Sequence, residues 1–332
     1  MSRRGAAGVR KASGARRVAR GLVGLLLVAL VVLGLVWFGV GPFPDREGCT
    51  ATAAGESVDV DLEQAQNAAV IAGIAVERGL PARAVSIALA TAYQESDIRN
   101  LDHGDRDSLG IFQQRPSQGW GSARQVRDIY HSANRFYDAL EKVRGYRSMR
   151  VTEAAQEVQR SAFGNAYADH EDDARVLAST LTGYSQAAFT CVVRHEDRDP
   201  QEMRRNGLTR RANVALRDLE RTFGPLPVGG FQPGGVTTGH IEGSAHYEGR
   251  AVDVFFRPAG PANQRRGWAA AHYLVARADQ LGIETVIYDD RIWSAGIRSE
   301  AGWREYDEPS GPNQPVLEHR DHVHAEVVDD AA

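Results

Sequence analysis

The stretch AVSIALATAYQESDIRNLDHGDRDSLGIFQQ, residues 84–114, sets the character of the chain. Its first half places small and aliphatic residues at helical spacing behind Pro81, a residue suited to a helix start because the N–H it lacks would go unpaired there anyway. Glu95 falls at the end of that apolar helix. A carboxyl group at the edge of apolar packing has its charged form penalised, so its pKa rises and it can hold a proton near neutrality. Protonation of a glycosidic oxygen needs such a group. The chain then turns acidic through Asp102, Asp105 and Asp107, which could hold a water, before Gly110 and Gln113 follow in a loop-then-helix setting.

Helical patterning extends to both sides. Asp61 is placed to cap a helix running through VIAGIAVERG and ending near Gly79, and further helices are expected over 131–143, 152–162 and 171–181. Beyond an arginine-rich stretch at 194–205 come the amphipathic NVALRDLERTF and the helix-breaking run GPLPVGGFQPGGVTTG. Short strand-like runs, AVDVFF, ETVIYD and HVHAEVV, then surround a helix at 267–281. The pattern predicts an α+β protein with a boundary near 191–200: a mostly α domain over 59–191, a connector with a helix over 192–224, and an α+β domain over 225–332. No internal repeat is visible. Apolar content of 42% and charged content of 25% exclude disorder as the main theme.

The N-terminus departs from that average. The first 20 residues carry seven basic side chains and no acid, and residues 21–42 carry no charge. At helical rise the latter would span roughly 30 Å, the thickness of a bilayer core. The expectation is a single-pass transmembrane helix with a cytoplasmic basic tail, followed by a linker over 43–58 and domains outside the cytoplasm. A cleaved signal peptide is the alternative, but the apolar run is long for one and no A-x-A-like site closes it. Removing the tail's seven cations from the net charge of −4 leaves −11 on the exported part, which argues against nucleic acid as a partner. The only cysteines, Cys49 and Cys191, both fall on the exported side, where a disulfide is permitted. If joined they would contribute roughly 4 to 5 kcal/mol by loop closure. Two unpaired thiols are the other reading.

ALATAYQES followed by SLGIFQQ resembles the soluble lytic transglycosylases and goose-type lysozymes, whose catalytic Glu precedes Ser and whose next motif is Gly-Leu-Met-Gln. Here Ile111 and Phe112 replace the Leu and Met. AAQEVQRSAFGNAYADH, with Gln159 and Tyr167, is similar to a later cleft motif of the same superfamily, so the resemblance covers about 60–190. It implies that Glu95 is general acid and then base, and that Ser96, Gly110, Gln113, Gln159 and Tyr167 bind substrate in a sugar cleft. Whether a second carboxylate takes part separates hydrolysis from transglycosylation and stays open.

In the C-terminal part, SAHYEGRAVD places six residues between His246 and Asp253, and His322 and His324 share one face of a strand-like run. Two imidazoles and a carboxylate leave a fourth tetrahedral position open for water, as a catalytic zinc requires. The pattern Ser244, His246, Gly249, Ala251, Asp253 with the later H-x-H resembles the zinc peptidases that include D-Ala-D-Ala peptidases, lysostaphin and the hedgehog fold, over about 225–328. The resemblance implies zinc held by His246, Asp253 and His324, with His322 polarising water or stabilising an oxyanion and Asp321 as the other candidate base. Those carboxypeptidases present an arginine before the S-x-H motif to bind the substrate carboxylate. None stands in GGFQPGGVTTG, which leaves Arg250 and Arg257 as candidates. His319 reads as solvent-facing.

Together the two resemblances imply a membrane-anchored bacterial peptidoglycan remodelling enzyme. It would face the cell wall, with peptidoglycan and the membrane as partners, other envelope proteins as further ones, and zinc as the one cofactor. The alternatives are a non-catalytic wall-binding scaffold, and one active domain joined to one recruiting domain.

Overall fold

A computed structural model describes residues 46–160, 165–195, 201–307 and 314–329. The expected anchor over 21–42 lies outside the described residues, and among those residues no helix is long and apolar enough to cross a membrane.

From Glu47 onward the chain forms one compact unit. It opens with a hairpin of β1 (Gly48–Ala53) and β2 (Glu56–Val60), paired antiparallel. Residues 48–58 were expected to be linker, and their small, polar composition hid a period of two. Cys49, Ala51 and Ala53 on β1 and Val58 and Val60 on β2 are all buried, while the residues between them are not.

Helix α1 (Leu62–Glu77) starts at Asp61 in a capping box: the Asp61 carboxylate accepts from Gln64 N at 2.9 Å, and the Gln64 side chain accepts from Asp61 N at 3.1 Å. Helix α2 (Ala82–Ser96) follows Pro81 and stops at Asp97, which is left-handed. Then come α3 (Ile129–Leu140), α4 (Val151–Gln159) and α5 (Glu171–Leu181), which gather around α1 and α2. Strand β3 (Phe189–Val192) returns to β1, giving the sheet order β2-β1-β3. Cys49 and Cys191 are register partners across β1 and β3 and are joined as a disulfide. The bond ties the start of the helical part to its end.

Helix α6 (Arg210–Phe223) leads into β4 (Val228–Gly229) and β5 (Ala251–Phe255). After α7 (Pro261–Ala276) come β6 (Ile283–Tyr288), β7 (Arg291–Ser294), β8 (Arg304–Glu305) and β9 (His322–Val327). These six strands form an antiparallel sheet in the order β4-β5-β9-β6-β7-β8. The architecture is α+β.

Residues on either side of 191–200 share one hydrophobic core. Helices α1 and α7 explain why. Each is buried on nearly every face, from Ala65 to Ala75 in α1 and from Gly267 to Ala276 in α7, so each needs neighbours all round. Helix α7 lies against β6 and β9 and also against α1, α5 and β3. Polar contacts reinforce this seam: Trp293 Nε1 donates to Cys191 O at 3.1 Å, and Trp303 Nε1 donates to Phe189 O at 2.8 Å. Burial pushes the His272 pKa down to about 4, and its Nδ1 bonds Thr180 O at 2.8 Å.

Candidate functional site

Glu95 occupies the last turn of α2 with its carboxyl half-buried. Tyr167 donates its hydroxyl to Glu95 Oε1 at 2.9 Å, and the Gln159 amide bonds the same carboxyl. Burial raises the Glu95 pKa above its usual 4.5, and the Tyr167 and Gln159 donors pull part of the way back. Gln159 Nε2 also donates to Phe112 O at 2.8 Å, which couples the acid to the segment around Gly110. The structure therefore brings Glu95, Gln159 and Tyr167 together from α2, α4 and the loop before α5.

Two other expected cleft residues take different parts. Ser96 is buried, and its hydroxyl donates to Ile111 O at 2.7 Å, so it ties the helix end to the loop. The Gln113 amide turns toward the acidic loop, bonding His103 O at 3.2 Å and Gly110 O at 3.1 Å, and does not reach Glu95. Gly110 has φ +77° and lies so close to Val126 O that a Cβ would stand 2.2 Å from it. Only glycine fits there. In the same loop, Asp107 holds Arg115 at 2.6 Å and accepts from Ser117 N at 2.8 Å, a use in loop shape.

The second cluster is built by the large sheet. Asp253 on β5 is the register partner of His324 on β9, and both side chains point to the face where His246 arrives. His246 sits on a 3-10 turn, Ala245–Glu248, whose N-cap is Ser244. The three ligand atoms form a nearly equilateral triangle: His246 Nε2 to His324 Nδ1 3.1 Å, His246 Nε2 to Asp253 Oδ1 3.2 Å, His324 Nδ1 to Asp253 Oδ1 3.1 Å. Tetrahedral ligands at bonds of about 2.0–2.1 Å stand roughly 3.3 Å apart, so this buried group could hold a metal ion.

The surroundings favour that use. His246 Nδ1 donates to Gly230 O at 2.8 Å, which leaves Nε2 with a bare lone pair aimed into the triangle. Burial pushes the His324 pKa down, but the Asp253 and Glu326 carboxylates more than offset this and lift it to about 9. Burial likewise opposes ionisation of Asp253, yet its bonds to His246 and His324 hold it well below the carboxylate range. A proton or a cation belongs at this point.

His322 lies beside the triangle, its Nε2 3.8 Å from Asp253 Oδ1. Its Nδ1 bonds Asp321 Oδ1 at 2.8 Å, and Arg257 Nε donates to Asp321 Oδ2 at 2.6 Å. Arg257 is half-exposed and stacks on the Phe255 ring at 4.0 Å. Arg250 is instead enclosed by Glu248, Glu284, Glu326 and Val327 O, all within 3.4 Å. His319, expected at the surface, packs against His322 and His324 with ring centroids 4.6 and 5.8 Å away, and its backbone has a positive φ of 53°. The sequence reading missed His240, which stacks on His246 at 3.9 Å and is pinned by two hydrogen bonds to the Tyr247 hydroxyl. Its glycine-rich setting resembles an ordinary surface loop, so no local signal marks it.

Residues 204–317 match the family model described as VldE, C-terminal domain. That segment holds His246, Asp253 and Arg257 and ends before Asp321, His322 and His324. No curated protein matches the chain.

Proposed function

We propose that the chain is a membrane-anchored peptidoglycan remodelling enzyme, cutting glycan with Glu95 and stem or cross-link peptides at a zinc site of His246, Asp253 and His324. The observation that carries this reading is that both motif-derived constellations, the Glu95–Gln159–Tyr167 group and the ligand triangle, assemble within one compact body.

At the first site, Glu95 protonates the leaving glycosidic oxygen and then serves as base, while Tyr167 and Gln159 hold the carboxylate between the two steps. Burial favours the protonated form of Glu95 that the first step needs, and the Tyr167 and Gln159 donors favour the ionised form that the second step needs. At the second site, bound zinc would supply a Lewis acid and a water of lowered pKa. His322 faces the same space and takes a proton or steadies the oxyanion, with Asp321 as its positioning residue. Of the two candidate arginines, Arg257 is the one open to meet a substrate carboxylate.

Zymography on purified sacculi tests the reading with the wild type, Glu95→Gln and His246→Ala. Loss of glycan release in the first variant and of peptide release in the second is expected. Retention on sacculi with no product from the wild type would replace this reading with a wall-binding scaffold. Reducing ends on the released muropeptides would make the first activity hydrolysis, and anhydro ends would make it transglycosylation.

A further inference from the structure

Arg250 sits among more acids than one guanidinium balances. Its Nη2 lies 2.7 Å from Glu248 Oε2, and its Nη1 lies 3.4 Å from Glu284 Oε2 and 3.3 Å from Glu326 Oε1. The same Nη1 donates to Val327 O at 2.8 Å. Glu248 ends the turn that carries His246, and Glu326 lies on β9 two residues after His324. One cation therefore ties together the two segments that supply the histidine ligands.

Glu248 meets Arg250 twice, at Nη2 and at Nε, the latter at 2.8 Å. Charge balance at Arg250 thus does not use up Glu326. Residues two apart on a strand project to the same face, so Glu326 and His324 are neighbours. Glu326 divides its oxygens between two partners: Oε1 faces Arg250, and Oε2 stands 4.0 Å from His324 Nε2. The last torsion of a glutamate is soft, so this gap narrows to a hydrogen bond at little cost while Oε1 keeps Arg250.

We infer that Glu326 is a positioning residue of the metal site, which takes the Nε2–H bond of His324 and so commits Nδ1 to the metal, with Arg250 holding Glu326 in place. The inference rests on the zinc-site reading above and adds a residue to it. His324 presents Nδ1 to the ligand triangle, so Nε2 is the nitrogen left to carry the proton when a metal is bound. An acceptor behind that proton fixes the ring and makes the other nitrogen a stronger ligand. His246 is arranged in the opposite sense, with Nδ1 bonded to Gly230 O and Nε2 turned inward. Glu326 is thus to His324 what the Gly230 carbonyl is to His246, with a negative charge added.

The test compares the full-length wild type with Glu326→Ala and Glu326→Gln, each carrying isotope-labelled histidine. Zinc titration is expected to show binding weakened about 10-fold or more in Glu326→Ala. Glu326→Gln keeps an acceptor and loses only the charge, so it should stay within about threefold of the wild type. Nuclear magnetic resonance of the zinc-loaded chains reads the bond itself. The His324 Nε2–H proton should lie downfield in the wild type, move upfield in Glu326→Gln and exchange with solvent in Glu326→Ala. Equal zinc affinity in wild type and Glu326→Ala overturns the inference. So does a weaker variant whose His324 proton is unmoved, since the loss would then come through packing. If Glu326→Ala does not fold, the Glu326→Gln spectrum decides, and an unmoved proton there again overturns the inference. A wild type that binds no zinc instead overturns the zinc-site reading, and this inference with it, so the two failures are told apart.

Discussion

Asp253 Oδ1 and His324 Nδ1 lie 3.1 Å apart because the two residues are direct partners in the register of β5 and β9. The sheet thus fixes two corners of the ligand triangle, and only His246 comes from a turn. The wild type is expected to bind one equivalent of zinc, and His246→Ala or Asp253→Asn to weaken binding by about 100-fold or more, read by titration calorimetry. Zinc at 100 times its dissociation constant should stabilise the wild type by about 2.7 kcal/mol, and a chelator should remove that gain. Equal zinc affinity in wild type and variants would sink the assignment.

Gly230 tests the buttress behind His246. It has φ +78°, and an added Cβ would lie 2.2 Å from His246 Cε1 and 2.9 Å from Asp253 Oδ2. Gly230→Ala should cost about 1 to 3 kcal/mol of stability and weaken zinc binding as well. A variant that melts earlier but binds zinc normally would show that the carbonyl-to-His246 bond does not set the ligand.

Glu95 makes a prediction about pH. Its folded pKa is raised above 4.5, so the folded state holds the proton more tightly than the unfolded state. Below the unfolded value both states are protonated and nothing is lost. As pH rises through it the unfolded chain ionises first, stability falls, and the loss is complete above the folded pKa. Glu95→Gln should therefore melt higher than the wild type at pH 7 and equally below about pH 4. Its glycan-cutting rate should drop by about 100-fold or more. A variant less stable than wild type at pH 7 would contradict the burial argument.

What the sequence revealed, and what it hid, follows from where the information sits. Helical spacing behind Pro81 and the capping residue Asp61 are local features, and α1 and α2 begin where they indicate. The H-x-H spacing put His322 and His324 on one strand face, which β9 obeys. The directions of Ser96 and Gln113 depend on a loop fold no motif encodes, and both turn toward backbone carbonyls. The shared core had a readable sign in residues 267–276, apolar on every face and hence in need of neighbours on every face. His240 and His319 stand just outside the ligand motifs, six positions before His246 and five before His324, in irregular backbone where no period fixes the direction of a side chain.

Asp321 and His322 can be separated by substitution. Asp321→Asn keeps a hydrogen-bonding group beside His322 Nδ1 but removes the charge that Arg257 also faces. Peptide-cutting activity should fall about 10- to 100-fold, as for an outer partner of a reactive histidine. His322→Ala should cost about 100-fold or more, the value of a proton-transfer group. The reverse order would make Asp321 the base and His322 its support.

The disulfide carries the last prediction. Cys49 and Cys191 are 142 residues apart in sequence, and their bond holds β1 against β3. Strand β3 also supplies Cys191 O and Phe189 O to Trp293 and Trp303, so its position matters to the seam with the large sheet. Closing so long a loop restricts the unfolded chain, and for loops of this size the contribution is about 4 to 5 kcal/mol. The Cys49→Ser, Cys191→Ser double variant should therefore lose about 4 kcal/mol, near 10 °C in melting temperature at about 2–4 °C per kcal/mol. Reductant should lower the wild type to the same value and leave the variant unmoved. A wild type that melts at one temperature with and without reductant, after full reduction is verified by alkylation, would show that packing alone holds β3 in place.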